Sequence, residues 1–163
     1  MIPKILKLSL TCCVLLPLVM FGQNGSSVTQ TLTVEVKPIT KIAVSGNPGA
    51  LLITDGTSGS DVLSASDNNS KYSMMTNLDN MKIVASINTP MPNGTRLMIK
   101  LESTRGLSNG FVDVSNAMSP VEVVSGLGKG SDLDQTITYT FAANASVGQI
   151  NADARVVTLT LTN

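Results

Sequence analysis

The chain contains no histidine and no tryptophan, and its two cysteines, Cys12 and Cys13, stand side by side near the N-terminus. Histidine is the ordinary acid/base near neutral pH, and the thiolate is the strongest side-chain nucleophile and a soft metal ligand. Their joint absence from the rest of the chain excludes most catalytic classes, so no enzyme activity and no cofactor are expected. Charge is also scarce, at 13% of residues, and the formal net charge is +0. Such a balance predicts no electrostatic partner and no nucleic-acid ligand. Aromatic residues make up 3% of the chain. Val, Ile, Leu, Met and Ala must therefore supply the core packing.

The first 22 residues combine Lys4 and Lys7 with an apolar run from Leu8 to Phe21 and then small and polar residues. That layout reads as a secretory signal peptide cut after Gly22 or a few residues later. The run is shorter than the roughly 18 to 20 residues needed to span a bilayer, and Pro17 interrupts it, so membrane contact is expected only during export. A lipid anchor at Cys12 is the rival, with the thiol placed before most of the apolar run rather than after it. Cleavage removes both cysteines and two lysines, taking the formal charge from +0 to −2. A protein of about 140 residues remains, enough for one domain with a core and no disulfide. Gln23 to Ser27 reads as a flexible leader and residues 28–163 as the domain, in a secreted, periplasmic or cell-surface protein.

After residue 27 the periodicity is two. Thr31 to Val36 sets Leu32, Val34 and Val36 on one face, Met81 to Ile87 does the same with Met81, Ile83, Ala85 and Ile87, and Arg96 to Glu102 turns Leu97, Ile99 and Leu101 inward. Thr136 to Ala142 and Val156 to Thr162 alternate apolar residues with threonine, whose branched Cβ suits a solvated strand face. Weaker strand signals cover Ile39 to Val44, Ala50 to Thr54, Lys71 to Thr76, Phe111 to Val114 and Val121 to Val124. Turn-rich pieces separate them at Ser45–Gly49, Asp55–Asp61, Pro90–Gly94 and Gly126–Asp132. Asn93 and Gly94 suit a hairpin joining the Met81 and Arg96 strands. Nine or ten short strands without an amphipathic helix predict an all-β fold: a single antiparallel β-sandwich of immunoglobulin-like or Greek-key type, with a closed barrel as the alternative.

Among candidate sites, Asp55 and Asp61 flank a glycine-serine loop, and Asp132 and Asp134 form a D-x-D pair. Such loops offer carboxylates and carbonyls to calcium, although Asp and Gly are also what turns use. Gly126 to Gly130 lacks the spacing of a phosphate loop and no helix follows it. Thr54 to Thr57 has no second copy to supply the paired carboxylate of an aspartic protease. Glu102 and Glu122, the pair a glycosidase would need, fall on the polar phase of their strands. Met74, Met75, Met81, Met91, Met98 and Met118 read as core and gap filling rather than a thioether copper site. Sequons begin at Asn24, Asn68, Asn93 and Asn144.

Val28 to Val36 is a self-contained alternating strand that Lys37 and Pro38 then interrupt. A segment of this sort can complete a neighbour's sheet or pair within its own chain. The stretch VTQTLTVEVKPITKIAVSG is similar in layout to the start of mature alpha-class fimbrial major subunits, and RVVTLTLTN resembles their final strand. KYSMMTN, MKIVASI and PNGTRLMIKL also resemble a loose group of small secreted bacterial β-sandwich proteins of unknown function. The fimbrial resemblance implies a chaperone-assembled, immunoglobulin-like surface subunit with Val28, Leu32, Val34 and Val36 as donor residues. Self-association or surface assembly through strand edges is the expected partnership. The second expectation is a soluble extracytoplasmic binding module for glycan or calcium.

Overall fold

The computed structural model describes residues 25–163, so the expected signal peptide lies outside the described residues. The chain divides after Glu35, and the body runs from Val36 to Asn163. It holds nine strands: β1 (Thr40–Ser45), β2 (Val62–Thr76), β3 (Met81–Ile87), β4 (Thr95–Leu101), β5 (Leu107–Ser108), β6 (Val112–Asp113), β7 (Val121–Leu127), β8 (Gly130–Asn144) and β9 (Val157–Thr162). One 3-10 turn, Ala145–Val147, is the only helical piece of the described residues. The strands form two sheets, in the orders β1-β2-β8-β4-β6 and β5-β7-β3-β9. All pairings are antiparallel. The fold is therefore the all-β sandwich, not the barrel.

The inward phases named from the sequence face each other across the sandwich. Ile83, Ala85, Ile99, Leu101 and Ile137 are fully buried, with Tyr72, Val123, Val124 and Leu127 beside them. Each large aliphatic side chain sealed this way contributes on the order of 1.5–3 kcal/mol. Tyr72 is buried whole because its hydroxyl donates to the Glu102 carbonyl at 2.6 Å. Burial pushes that phenol up to about 12, and the nearby Asp132 and Glu102 charges add to it.

Five expectations need correction. Thr31 to Val36 forms no strand, and neither does Ala50 to Thr54; an alternating pattern gives a strand only where a free edge is ladder-bonded to it. Lys71 to Thr76 is only the second half of β2, which has 15 residues. The inward phase of β2 runs through Leu63, Ala65 and Asp67, then switches to Ser70, Tyr72 and Met74. An irregularity between Asp67 and Ser70 makes the switch, and Asp67 braces it by accepting from the amide and side chain of Asn69 at 3.1 and 2.6 Å. A bulge of this kind flips every later side chain to the other face and hides the strand from a period-two reading.

The Asn93-Gly94 turn does not make a hairpin, because β3 and β4 belong to different sheets. Only Gly94 has positive φ there, at 78°, and the chain uses it to cross between layers. Gly126 to Asp132 is mostly strand, with β7 ending at Leu127 and β8 starting at Gly130. The Arg105 guanidinium lies where a Cβ on Gly130 would stand, its Cζ at 2.8 Å from that position. Arg105 donates from there to the carbonyls of Ser131 and Lys129 at 3.4 and 3.2 Å.

Candidate functional site

The edges of the two sheets are unequal. β1 pairs only with Lys71 to Thr76 of β2, so the earlier half of β2 has a ladder partner on its β8 side alone. In the other sheet β9 pairs with β3 and leaves its outer edge unpaired. Between these two edges the sandwich opens into a groove of about 950 Å³. Its floor is apolar: Leu63, Leu97, Tyr139, Phe141, Val157 and Leu159 all line it. Leu51 and Ile53, from the segment expected as a strand, form part of the rim. Side chains that the alternation aims inward, such as Tyr139, Phe141, Val157 and Leu159, are only half-buried as a result. Desolvation raises the Tyr139 phenol, and the nearby Asp67 charge adds to it.

The residues expected from the sequence as strand donors are apolar and exposed. Val28, Leu32, Val34 and Val36 are exposed by 91, 82, 81 and 82%. The segment after them is fixed to the body. Asn77 donates from its side-chain nitrogen to the Lys37 carbonyl at 2.9 Å and accepts from the Ile39 amide at 2.7 Å. The Asn77 amide in turn donates to the Ile39 carbonyl at 3.2 Å. One asparagine thus satisfies backbone groups on both sides of Pro38, which has no N–H of its own. Nothing in the local pattern around Asn77 marks it, because its partners lie about 40 residues away.

The four acidic candidates separate. Asp55 is exposed and accepts from the Gly56 amide at 2.7 Å. Asp61 is exposed just before β2, where its carbonyl accepts from the Ala145 amide at 2.9 Å. Asp134 is exposed, with φ of 51°. Asp132 is 1% exposed and faces inward. Its carboxylate accepts from the Ser103 hydroxyl at 2.6 Å, the Thr104 amide at 3.1 Å, the Arg105 amide at 3.3 Å and the Thr104 hydroxyl. Burial alone would push this carboxyl up, but those hydrogen bonds from Ser103, Thr104 and Arg105 outweigh it and hold it below its ordinary value. It ties the loop after β4 to β8. Among the described residues no three acidic side chains gather where a metal ion could sit.

Glu102 and Glu122 are exposed. Met74 and Met81 are core residues, whereas Met75 and Met118 are exposed. Asn68 lies in the β2 bulge, Asn93 in the turn before β4 and Asn144 at the end of β8, while Asn24 is outside the described residues. Comparison with known proteins finds no matching family model, no curated relative and no similar solved structure. The groove and the exposed alternating segment thus carry the functional argument by themselves.

Proposed function

We propose that this chain is a secreted or cell-surface structural or adhesive subunit of fimbrial type, assembled by strand donation, with Val28 to Val36 of one copy filling the groove of the next. One observation carries the reading: the same chain holds an exposed alternating strand sequence without a ladder and an apolar groove between two unpaired sheet edges. Each supplies what the other lacks, because an added strand would satisfy an open edge and cover apolar side chains at once. The other features are consistent with a protein that acts by presenting surface, since no histidine or tryptophan is present anywhere.

Size-exclusion chromatography with light scattering tests this over a range of concentrations. The full chain forms species larger than a monomer, and Val34→Asp abolishes them while leaving the thermal midpoint of the body in dilute solution unchanged. A full chain that stays monomeric at every concentration overturns the reading, as does a variant without Ser27 to Val36 that still assembles and still reaches the cell surface.

A further inference from the structure

Two side-chain polar atoms of the described residues are buried without a hydrogen-bond partner, Ser70 Oγ and Arg155 Nε. Both residues line the groove. Ser70 is fully buried. Arg155 is held in place from its other side, where Nη1 donates to Asp153 Oδ2 at 2.5 Å and to the Ala154 carbonyl at 3.2 Å. Its Nε–H is therefore a fixed donor with no acceptor. A purely hydrocarbon occupant would leave the Arg155 donor unpaired, so this end of the groove suits an occupant that brings an acceptor to a defined place.

The place is set by the strand alternation. From Ala154 to Leu161 exposed and half-buried residues alternate, and Arg155 shares the inward phase of Val157, Leu159 and Leu161. The inward phase of the N-terminal segment reads Val28, Gln30, Leu32, Val34, Val36. From Gln30 and from Arg155 onward, both series run one polar residue followed by three apolar ones, in the same chain direction. We infer that the segment of a second copy docks parallel to the free edge of β9, with Gln30 beside Arg155, Leu32 beside Val157, Val34 beside Leu159 and Val36 beside Leu161. In this register Gln30 Oε1 accepts from Arg155 Nε–H. The inference rests on the strand-donation reading and adds to it a direction, a register and a specificity residue.

Other alignments fail on the same residues. A slip of one turns Thr31, Thr33 and Glu35 into the groove. A slip of two seats Val28 or Leu32 on Arg155 and leaves Gln30 against Val157 or outside. An antiparallel strand that covers β9 places Gln30 by Leu161 and Val36 by Arg155. An antiparallel strand that keeps Gln30 on Arg155 sends Leu32 to Val36 past the start of β9 and leaves Leu159 on the groove floor uncovered.

Engineered disulfides read the register. In the full chain with Cys12→Ser and Cys13→Ser, Thr31→Cys is combined with Val156→Cys for the parallel alignment, or with Thr160→Cys for the antiparallel one. All three sites are exposed, so the substitutions leave the core intact. Neighbouring strands lie about 4.8 Å apart, within disulfide reach. Mild oxidation should give a ladder of covalent multimers for the 31/156 pair and none for the 31/160 pair. Preferential cross-linking of 31/160, or of neither pair, overturns the register. A 31/156 disulfide confined to a monomer-sized band keeps the register and overturns donation between copies. Adding Gln30→Leu to the 31/156 pair should lower the yield about fivefold, the factor expected of one lost hydrogen bond, and Gln30→Glu should preserve it. An unchanged yield in Gln30→Leu removes Gln30 from the recognition.

Discussion

Ile137 and Phe141 stand four residues apart on the same face of β8. Ile137 is fully buried, whereas Phe141 is half-buried on the groove floor. Hydrophobicity does not explain the contrast, since the larger side chain is the less covered. The neighbours do. Ile137 is flanked on its own sheet by Ser70 of β2 and Leu101 of β4, at the level where β1 has joined β2 through Lys71 and Ser45. Phe141 is flanked by Ala65 and Leu97, at a level β1 does not reach. Closure of the sheet edge decides which apolar side chains become core in a sandwich. The well-sealed region can therefore hold the fold while the open region leaves apolar side chains half-covered.

The largest effect that tests this contrast is a paired truncation. Ile137→Ala should cost about 2–5 kcal/mol in urea unfolding at every protein concentration, because it leaves a cavity in a closed core. Leu159→Ala should cost under about 1.5 kcal/mol in dilute solution and more as concentration rises and the groove fills. Equal costs at low concentration would remove the distinction between the two regions.

Next in size is the Asp132 tie in the sealed region. Asp132→Ala should lower stability by about 1.5–3 kcal/mol, the usual worth of hydrogen bonds to a charged group. The sign with pH follows from the carboxyl being held below its ordinary value in the folded state. Its contribution is fully present above the unfolded value near 3.9 and is lost as pH falls through the lower folded one. Acid titration of stability should accordingly be steeper in the native protein than in Asp132→Asn below about pH 4. Identical slopes would show that other carboxylates govern acid unfolding.

A smaller effect is expected where the N-terminal segment joins the body. Asn77→Ala should cost about 1 kcal/mol, read as a lower midpoint in chemical unfolding, by freeing the Lys37 carbonyl and the Ile39 amide. An unchanged midpoint would mean that solvent replaces both bonds without loss.

The smallest effect is spectroscopic. The protein has two tyrosines and no tryptophan, so alkaline absorbance reports Tyr72 and Tyr139 directly. Tyr72, raised to about 12 in the sealed region, should ionise at the same pH whatever the protein concentration. Tyr139, which lines the groove and is raised mainly by desolvation, should shift further up when assembly covers it. Because the folded phenols titrate above their unfolded value near 10, stability is intact below that value and declines as pH rises through it toward 12. Concentration-independent titration of both tyrosines would break the link between groove and assembly.

Much of this architecture was legible in the order of residues. The inward phases of β4 and β9 could be read directly, because each keeps a strict period of two against one inner face, and that of β3 could be read although Val84 on its other phase is buried too. The segment around Val28 to Val36 was legible as a strand sequence, and the structure leaves it without a ladder. The first half of β2 and the start of β8 were not legible. Bulges at Asp67 to Ser70 and around Asp134, where φ is 51°, shift their inward phase by one. Asn77, Ser70 and Arg155 were missed for a different reason. Their roles depend on partners or vacancies brought together from distant parts of the chain, although Arg155 left a trace as a charge on an otherwise apolar phase.

The sequence by itself determined that the chain folds as β-strands packed through aliphatic side chains, without disulfides in the body and without the common catalytic groups. Alternation and composition are local properties, and they are sufficient for that. Tertiary structure alone decided which edges pair, that Asp132 is a buried tie rather than a turn residue, and that an apolar groove remains open beside β9. Edge pairing depends on lengths and registers summed over both sheets, and no single segment carries that information.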